Sequence, residues 1–141
     1  MNGEIHYTLN RQFRTWPLTM DWEGDTLWVK VKEALYYIPR AVVEHADHFC
    51  WDSPQVDDAV YHPQGTMAFI STDALRQLKE KGFFVYDTIT WRKVDEADGM
   101  IHVRADIDRT EMWISTTAPL PIVMEMRHNP LGIDWKVILN D

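Results

Sequence analysis

Apolar and polar residues alternate from about residue 84 to residue 139 with the two-residue period of β-strands. In the stretches MIHVRADI, EMWIS and IDWKVIL, most apolar residues fall on one face and most polar residues on the other. Asp98-Gly99 and the HNPLG segment supply turns between strands, since glycine accepts a positive φ without steric cost. The pattern predicts a five-strand antiparallel meander over about 84–139, in which FFVYDTITWRKV is the first strand.

Two segments have the 3.6-residue period of helices. STDALRQLKEKG carries a hydroxyl cap at Ser71 or Thr72 and a stop at Gly82, which predicts a helix over about 72–81. From about 39 to 50, an apolar stripe that begins with Val42 and Val43 predicts a second helix. A strand over ALYYIPRAVV is the alternative for the start of that segment.

The N-terminal half alternates less regularly. EIHYTL and TLWVKVK read as strands, whereas NRQFRTWPLTMDWEGD between them shows no clear period and predicts a long, lid-like loop over 11–25. We therefore expect an α+β fold in a single domain over residues 1–141. Its curved, mostly antiparallel sheet would carry one or two short helices on the apolar face.

Composition and charge exclude several classes of function. The chain has 141 residues, of which 45% are hydrophobic and 26% charged, a balance typical of one globular domain. A net charge of −8 without a basic cluster argues against binding to nucleic acid or to anionic membranes. A single cysteine cannot form an internal disulfide, which favours a cytoplasmic location. A mature secreted form whose leader has been removed is the alternative.

The segment VVEHADHFCW concentrates reactive residue types. On a helical wheel, His48 falls on the polar side, His45 at the edge of the apolar stripe, and Cys50 within it, so the three do not converge. A structural zinc site needs four ligands, and His62 from the following loop would still leave the set incomplete. We therefore assign no metal, cofactor or catalytic residue, and keep His45, His48 and His62 as weak metal candidates.

Tryptophan is the unusual component, with seven residues beside seven methionines. The alternation places Trp91 and Trp135 in the core, whereas the other tryptophans considered fall on charged faces or in the loop 11–25. Large apolar groups on polar surfaces often mark binding sites. The candidate ligand-binding or partner-binding residues are therefore Trp16, Met20, Trp22, Trp28 and Trp113.

The polar face of the meander carries acidic and basic residues on neighbouring strands. Such a mixture is typical of a solvated face with cross-strand ion pairs, and the same residues would line a polar cavity if the sheet curled far enough. The charged and histidine residues of this face are Arg92, His102, Arg104, Asp106, Glu111, Glu125, Arg127, Asp134 and Lys136.

These observations favour a small binding module without catalytic activity, which holds an apolar or amphipathic ligand between Trp- and Met-rich walls and the lid-like loop. An acidic protein–protein interaction module is the alternative, presenting exposed tryptophans to a partner or, as a homodimer, to a second copy of the chain. A hydrolase or metal-dependent enzyme that uses the His/Asp cluster over 45–62 is the third hypothesis.

Overall fold

A computed structural model shows the fold of the chain. It describes residues 1–9, 11–31, 34–47, 59–60, 69–118, 120–130 and 133–140. Within these ranges the strands form one curved sheet, open at its two edges, and two short helices accompany it. This arrangement confirms the predicted α+β class.

The sheet contains eleven strands in the described ranges, in the spatial order β5-β4-β3-β2-β1-β11-β10-β9-β8-β7-β6. Each neighbouring pair is antiparallel except β4 and β5, which are parallel. The strands are β1 Asn2–Leu9, β2 Gln12–Glu23, β3 Thr26–Val31, β4 Ala34–Pro39, β5 Ala59–Val60, β6 Phe83–Tyr86, β7 Ile89–Ala97, β8 Met100–Ala105, β9 Glu111–Ser115, β10 Val123–Arg127 and β11 Ile133–Leu139.

The two helices are α1 Arg40–His45 and α2 Thr72–Lys81. The ends of α2 form as the sequence predicts: the Ser71 hydroxyl accepts a hydrogen bond from the Ala74 amide, and Gly82 ends the helix at a φ of 81°. Within the described residues, no helix has the length and apolar character needed to cross a membrane.

The hydrophobic core lies between the inner face of the sheet and the two helices. Strands from both halves of the chain contribute, and Val43 of α1 with Ala74 and Leu78 of α2 close the core from above. The alternation of buried and exposed positions follows the strand period, as in β8, where Ile101, Val103 and Ala105 are buried. Trp91 and Trp135 are buried as predicted.

The prediction of a lid-like loop over 11–25 is wrong. Residues Gln12–Glu23 form β2, a long central strand that pairs with β1 on one side and β3 on the other. Trp16, Leu18, Met20 and Trp22 recur every second residue and lie on the inner face with the core. No lid is therefore formed by this segment.

The predicted meander is present, but it has one strand more than the pattern indicates. FFVYDTITWRKV divides into β6 and β7, because Asp87 and Thr88 both adopt a positive φ and turn the chain back on itself. Phe84 and Tyr86, rather than Val85, therefore face the core from β6.

The segment predicted as a helix over 39–50 is also divided. Residues up to Pro39 belong to β4, and α1 ends at His45 because Ala46 leaves the helical region with a ψ of 142°. Residues 48–50 lie outside the described residues. Both alternatives for this segment thus hold in part, the strand before Arg40 and the helix after it.

Candidate ligand pockets

An apolar pocket of about 550 Å³ lies where β9, β10 and β11 meet the start of β1. Its apolar walls include four half-buried side chains, those of Met1, Ala118, Met124 and Leu139, which pack against the core without being covered by it. The remaining lining residues are Ser115, Thr117, Val137 and Ile138.

A β-bulge places Met124 in this pocket. The register of β10 against β9 shifts by one residue, with Val123 opposite Ile114 and Glu125 opposite Trp113, so Met124 is the extra residue. The indole Nε1 of Trp135 donates a hydrogen bond of 3.1 Å to the Val123 carbonyl oxygen and holds the bulged strand from the core side. Because of this extra residue, Val123 and Met126 are both buried although they are three positions apart.

The segment between β9 and β10 forms the opposite wall. The Ser115 hydroxyl accepts hydrogen bonds from the amides of Thr117 and Ala118, and the Ser115 amide donates to the Ile122 carbonyl. The Thr116 amide donates to the Gly99 carbonyl in the neighbouring turn. These bonds position Ala118 over the pocket, and further along the segment Leu120 is buried among the core residues.

A second, polar cleft of about 220 Å³ lies between α1, α2 and the end of β2. Trp22 forms one wall and the guanidinium of Arg40 lies 4.2 Å from its ring centroid. His45 Nδ1 lies 2.7 Å from Asp73 Oδ2, and Arg76 donates to the other oxygen of Asp73 at 2.8 Å. Each charged side chain of the cleft thus has a partner of opposite sign or a histidine, and Glu44 lies 3.6 Å from His45 Nε2.

The hydrogen bond between His45 and Asp73 shifts the pKa of both groups. It raises the pKa of His45 and lowers the pKa of Asp73, and the Arg76 guanidinium lowers the pKa of Asp73 further. Both shifts favour the charged forms, a histidinium beside a carboxylate. Perturbed groups in a cleft are frequent at functional sites, and they are also frequent in structural ion pairs.

The outer face of the meander forms a network of cross-strand ion pairs. Glu111 accepts from Arg104 at 2.9 Å and lies 3.1 Å from His102 Nε2, and these contacts, the Arg104 bond first, lower the pKa of Glu111. The His102 ring stacks on Trp113 with centroids 4.2 Å apart, and the Arg127 guanidinium lies 4.8 Å from the same indole. Trp113 is therefore half-buried between the His102 ring and the Arg127 guanidinium.

The five residues predicted to bind a ligand do not converge. Met20 is buried in the core, and Trp16 packs edge-to-face on Tyr7 with ring centroids 4.9 Å apart. Trp22 borders the polar cleft, whereas Trp28 and Trp113 lie on the outer face, with Trp28 tilted against Tyr37. The large hydrophobic side chains that are exposed are others, namely Phe13, Val85, Val94, Ile107 and Ile138.

Of the three metal candidates, His45 lies within the described residues. His45 pairs with Asp73, while His48 and His62 lie outside the described residues. Within the ranges that the structure describes, no three His, Cys, Asp or Glu side chains are grouped so as to hold a metal ion.

Two residues that matter for the pockets carried no signal in the sequence. Met124 lies in β10, and only the bulge directs it to the pocket. Asp73 lies in the first turn of α2, where acidic residues are common, and its partner His45 is 28 positions away.

Comparison with protein-family models, curated proteins and solved structures finds no match for this chain.

Proposed function

We propose that this protein is a small binding module that holds an apolar or amphipathic ligand in the pocket lined by Met124, Leu139 and Ala118. The observation that supports the proposal most directly is the set of half-buried apolar side chains around a pocket of about 550 Å³. Ligand sites commonly measure roughly 300–1,000 Å³ and combine apolar walls with a few polar groups.

The chemistry of the lining favours a flexible apolar ligand with a polar end. Met124 has an unbranched thioether chain that adapts to irregular shapes, and Val137 and Leu139 present branched aliphatic surface beside it. The polar groups are few, because the Ser115 hydroxyl already accepts two amide hydrogen bonds and the Thr117 hydroxyl lies at the exposed rim. An ionic headgroup would therefore remain in solvent at the rim.

We assign no catalytic step to this pocket, because none of its described lining residues carries a titratable side chain. We also propose a cytoplasmic location, which the presence of a single cysteine supports.

Native mass spectrometry of the purified protein, compared with its denatured mass, tests the proposal first. A bound molecule that leaves on denaturation supports a ligand site. Binding of anilinonaphthalene sulfonate, an amphipathic fluorophore, then locates the site. We expect Met124→Glu, which introduces a charge into the pocket, to weaken fluorophore binding by about tenfold or more, because burying an unpaired charge is costly.

Val94→Glu is the matched control, since it places the same charge at a half-exposed aliphatic position of β7, away from the pocket. Ala118→Leu, which fills the pocket without adding charge, should also weaken binding. Cooperative urea unfolding of each variant shows that its fold is retained. Equal fluorophore affinity in the wild type, Met124→Glu and Ala118→Leu would exclude this pocket as the binding site.

A further inference from the structure

The outer face of the four central strands contains a polar groove of about 280 Å³. The strand register puts its side chains on one face: His6 lies opposite Thr15 and Lys136, Thr8 opposite Phe13 and Asp134, and Glu125 opposite Lys136. Directly opposed residues of antiparallel strands share a face, so these side chains surround the same space. This groove is separate from the apolar pocket, and the two have no lining residue in common.

The groove carries charges of both signs, three basic side chains (Arg14, Arg127 and Lys136) and two acidic ones (Glu125 and Asp134). Arg127 and Glu125 form an ion pair, and Asp134 accepts a hydrogen bond from the Asn129 amide at 3.1 Å. Lys136 has no ion-pair partner in the described part of the chain. A bound anion would lie against two carboxylates, and a bound cation would lie against an ammonium and two guanidiniums. The groove therefore favours a ligand without net charge.

Hydrogen-bond donors and acceptors are mixed within this small space. Lys136 and Arg127 donate, Glu125 and Asp134 accept, and the hydroxyls of Thr8 and Thr15 do both. The Thr15 hydroxyl is already oriented by His6 Nδ1 at 3.0 Å. A ligand whose every polar group can donate and accept satisfies such a surface best, and hydroxyl groups have that property.

An aromatic ring stands at the rim of the groove. Phe13 is 79% exposed, the highest value among the large hydrophobic residues described. Covering a phenyl ring with a ligand removes apolar surface from water, and the ring face offers a flat surface to C–H groups. At the opposite side, Arg127 is held against the Trp113 ring, which fixes its guanidinium beside the groove.

We propose that this groove binds a neutral saccharide, whose hydroxyls exchange hydrogen bonds with Lys136, Asp134 and Glu125 and whose apolar ring face covers Phe13. The proposal is independent of the apolar ligand of the other pocket. It involves no covalent step, and the sheet scaffold provides the groove without rearrangement of the strands.

A printed array of plant, bacterial and animal glycans tests the proposal, followed by calorimetric titration of the soluble oligosaccharide with the strongest signal. We expect Phe13→Ala and Lys136→Gln each to weaken its binding by about tenfold. Ile107→Ala is the control for Phe13→Ala, because Ile107 is a comparably exposed apolar residue that lies between β8 and β9, outside the groove. Lys30→Gln is the control for Lys136→Gln, because Lys30 is an exposed lysine of β3 outside the groove.

Binding that both groove variants weaken and both controls leave unchanged supports the saccharide site. Absence of signal across the whole array overturns it, and so does binding that the groove variants leave unchanged. Equal losses in Lys136→Gln and Lys30→Gln would show a general charge effect and would also overturn it. None of these results bears on fluorophore binding at Met124.

Discussion

His45 and Asp73 join the two helices of the fold, since Nδ1 of the α1 histidine lies 2.7 Å from Oδ2 of the α2 aspartate. The contact crosses the polar cleft, and Arg76 binds the second carboxylate oxygen from the same helix as Asp73. The hydrogen bond raises the pKa of His45 and lowers the pKa of Asp73, so folding stabilises both charged forms. Unfolding must therefore depend on pH through this pair.

Stability from this pair should be greatest between about pH 4 and pH 6.5, the ordinary pKa values of aspartate and histidine. Because the folded pKa of His45 is raised, its contribution is complete below pH 6.5 and is lost as the pH rises through the folded value. Because the folded pKa of Asp73 is lowered, its contribution is complete above about pH 4 and is lost as the pH falls through the folded value.

Urea unfolding of the wild type and of Asp73→Asn across pH 3 to pH 9 measures this dependence. We expect the difference between their midpoints to be largest inside the window and to shrink on both sides. Glu80→Gln removes an exposed acid of the same helix that has no ion pair among the described residues, and it should show no such window. A midpoint difference for Asp73→Asn that stays constant with pH would contradict the coupling to His45.

Removal of the hydroxyl should change the free energy of unfolding differently at two buried tyrosines. The Tyr86 hydroxyl accepts a hydrogen bond from the Ser71 amide just before α2, and burial raises the pKa of Tyr86 to about 12. Among the described residues, the Tyr7 hydroxyl is buried without a hydrogen-bond partner, and burial raises the pKa of Tyr7 as well. We expect Tyr86→Phe to cost about 1–3 kcal/mol, because it leaves the Ser71 amide unpaired.

Tyr7→Phe keeps the ring contact with Trp16 and removes only the unpaired hydroxyl, so its effect should lie between neutral and slightly stabilising. The comparison is made by urea unfolding at pH 7, where both phenols are protonated. A loss for Tyr7→Phe as large as that for Tyr86→Phe would show that the Tyr7 hydroxyl has a partner in solution.

The sequence predicted the meander well because its signals are local. Each of β8, β9 and β11 alternates without interruption, and the Asp98-Gly99 turn has the positive φ values that the residue types allow. The two-residue period fixes which side chains face inward once a single core is formed. The ends of α2 were predictable for the same reason, since caps depend on two or three neighbouring residues.

Elements that depend on distant contacts were not predictable in this way. Pro17 argues against a central strand, because proline cannot donate to a sheet, and yet β2 passes through it: Pro17 pairs with Glu4 of β1, and the described pairing with β3 begins at the next residue, Leu18. The inward period of Trp16, Leu18, Met20 and Trp22 is present in the sequence, but residues 11–15 before it, which are polar apart from Phe13, hide where the strand begins. Pairing with β1 over the first part of the strand and with β3 over the second overrides the local preference.

The candidate sites were still less accessible from the sequence. The bulge at Met124 has no composition signal of its own, and the groove around Lys136 arises from four strands that come from both ends of the chain. Their side chains could be assigned to a polar face, as Glu125, Arg127, Asp134 and Lys136 were, but periodicity does not show whether that face is flat or concave.

Gly3 of β1 lies close to the backbone of the neighbouring β11, and this close approach can be tested. A Cβ at this position would lie 2.2 Å from the Ile138 carbonyl oxygen of the neighbouring β11, a backbone atom that cannot move aside without separating two central strands. We expect Gly3→Ala to lower the free energy of unfolding by about 3 kcal/mol. Gly24→Ala, where nothing lies within 4 Å, should cost only the smaller strain of a positive φ. Equal losses of stability in Gly3→Ala and Gly24→Ala would refute the clash at Gly3.

Trp135 should couple the stability of the core to ligand binding. Its indole donates to the Val123 carbonyl beside the bulge that carries Met124, so Trp135→Phe removes this buried hydrogen bond. We expect a loss of about 2 kcal/mol in urea unfolding, and weaker binding of anilinonaphthalene sulfonate because the bulge is held less firmly. Trp91→Phe makes the same ring change in a core position remote from the pocket. Trp91→Phe should also reduce stability but leave fluorophore affinity unchanged. An equal loss of affinity in Trp135→Phe and Trp91→Phe would show that the bulge does not control fluorophore binding.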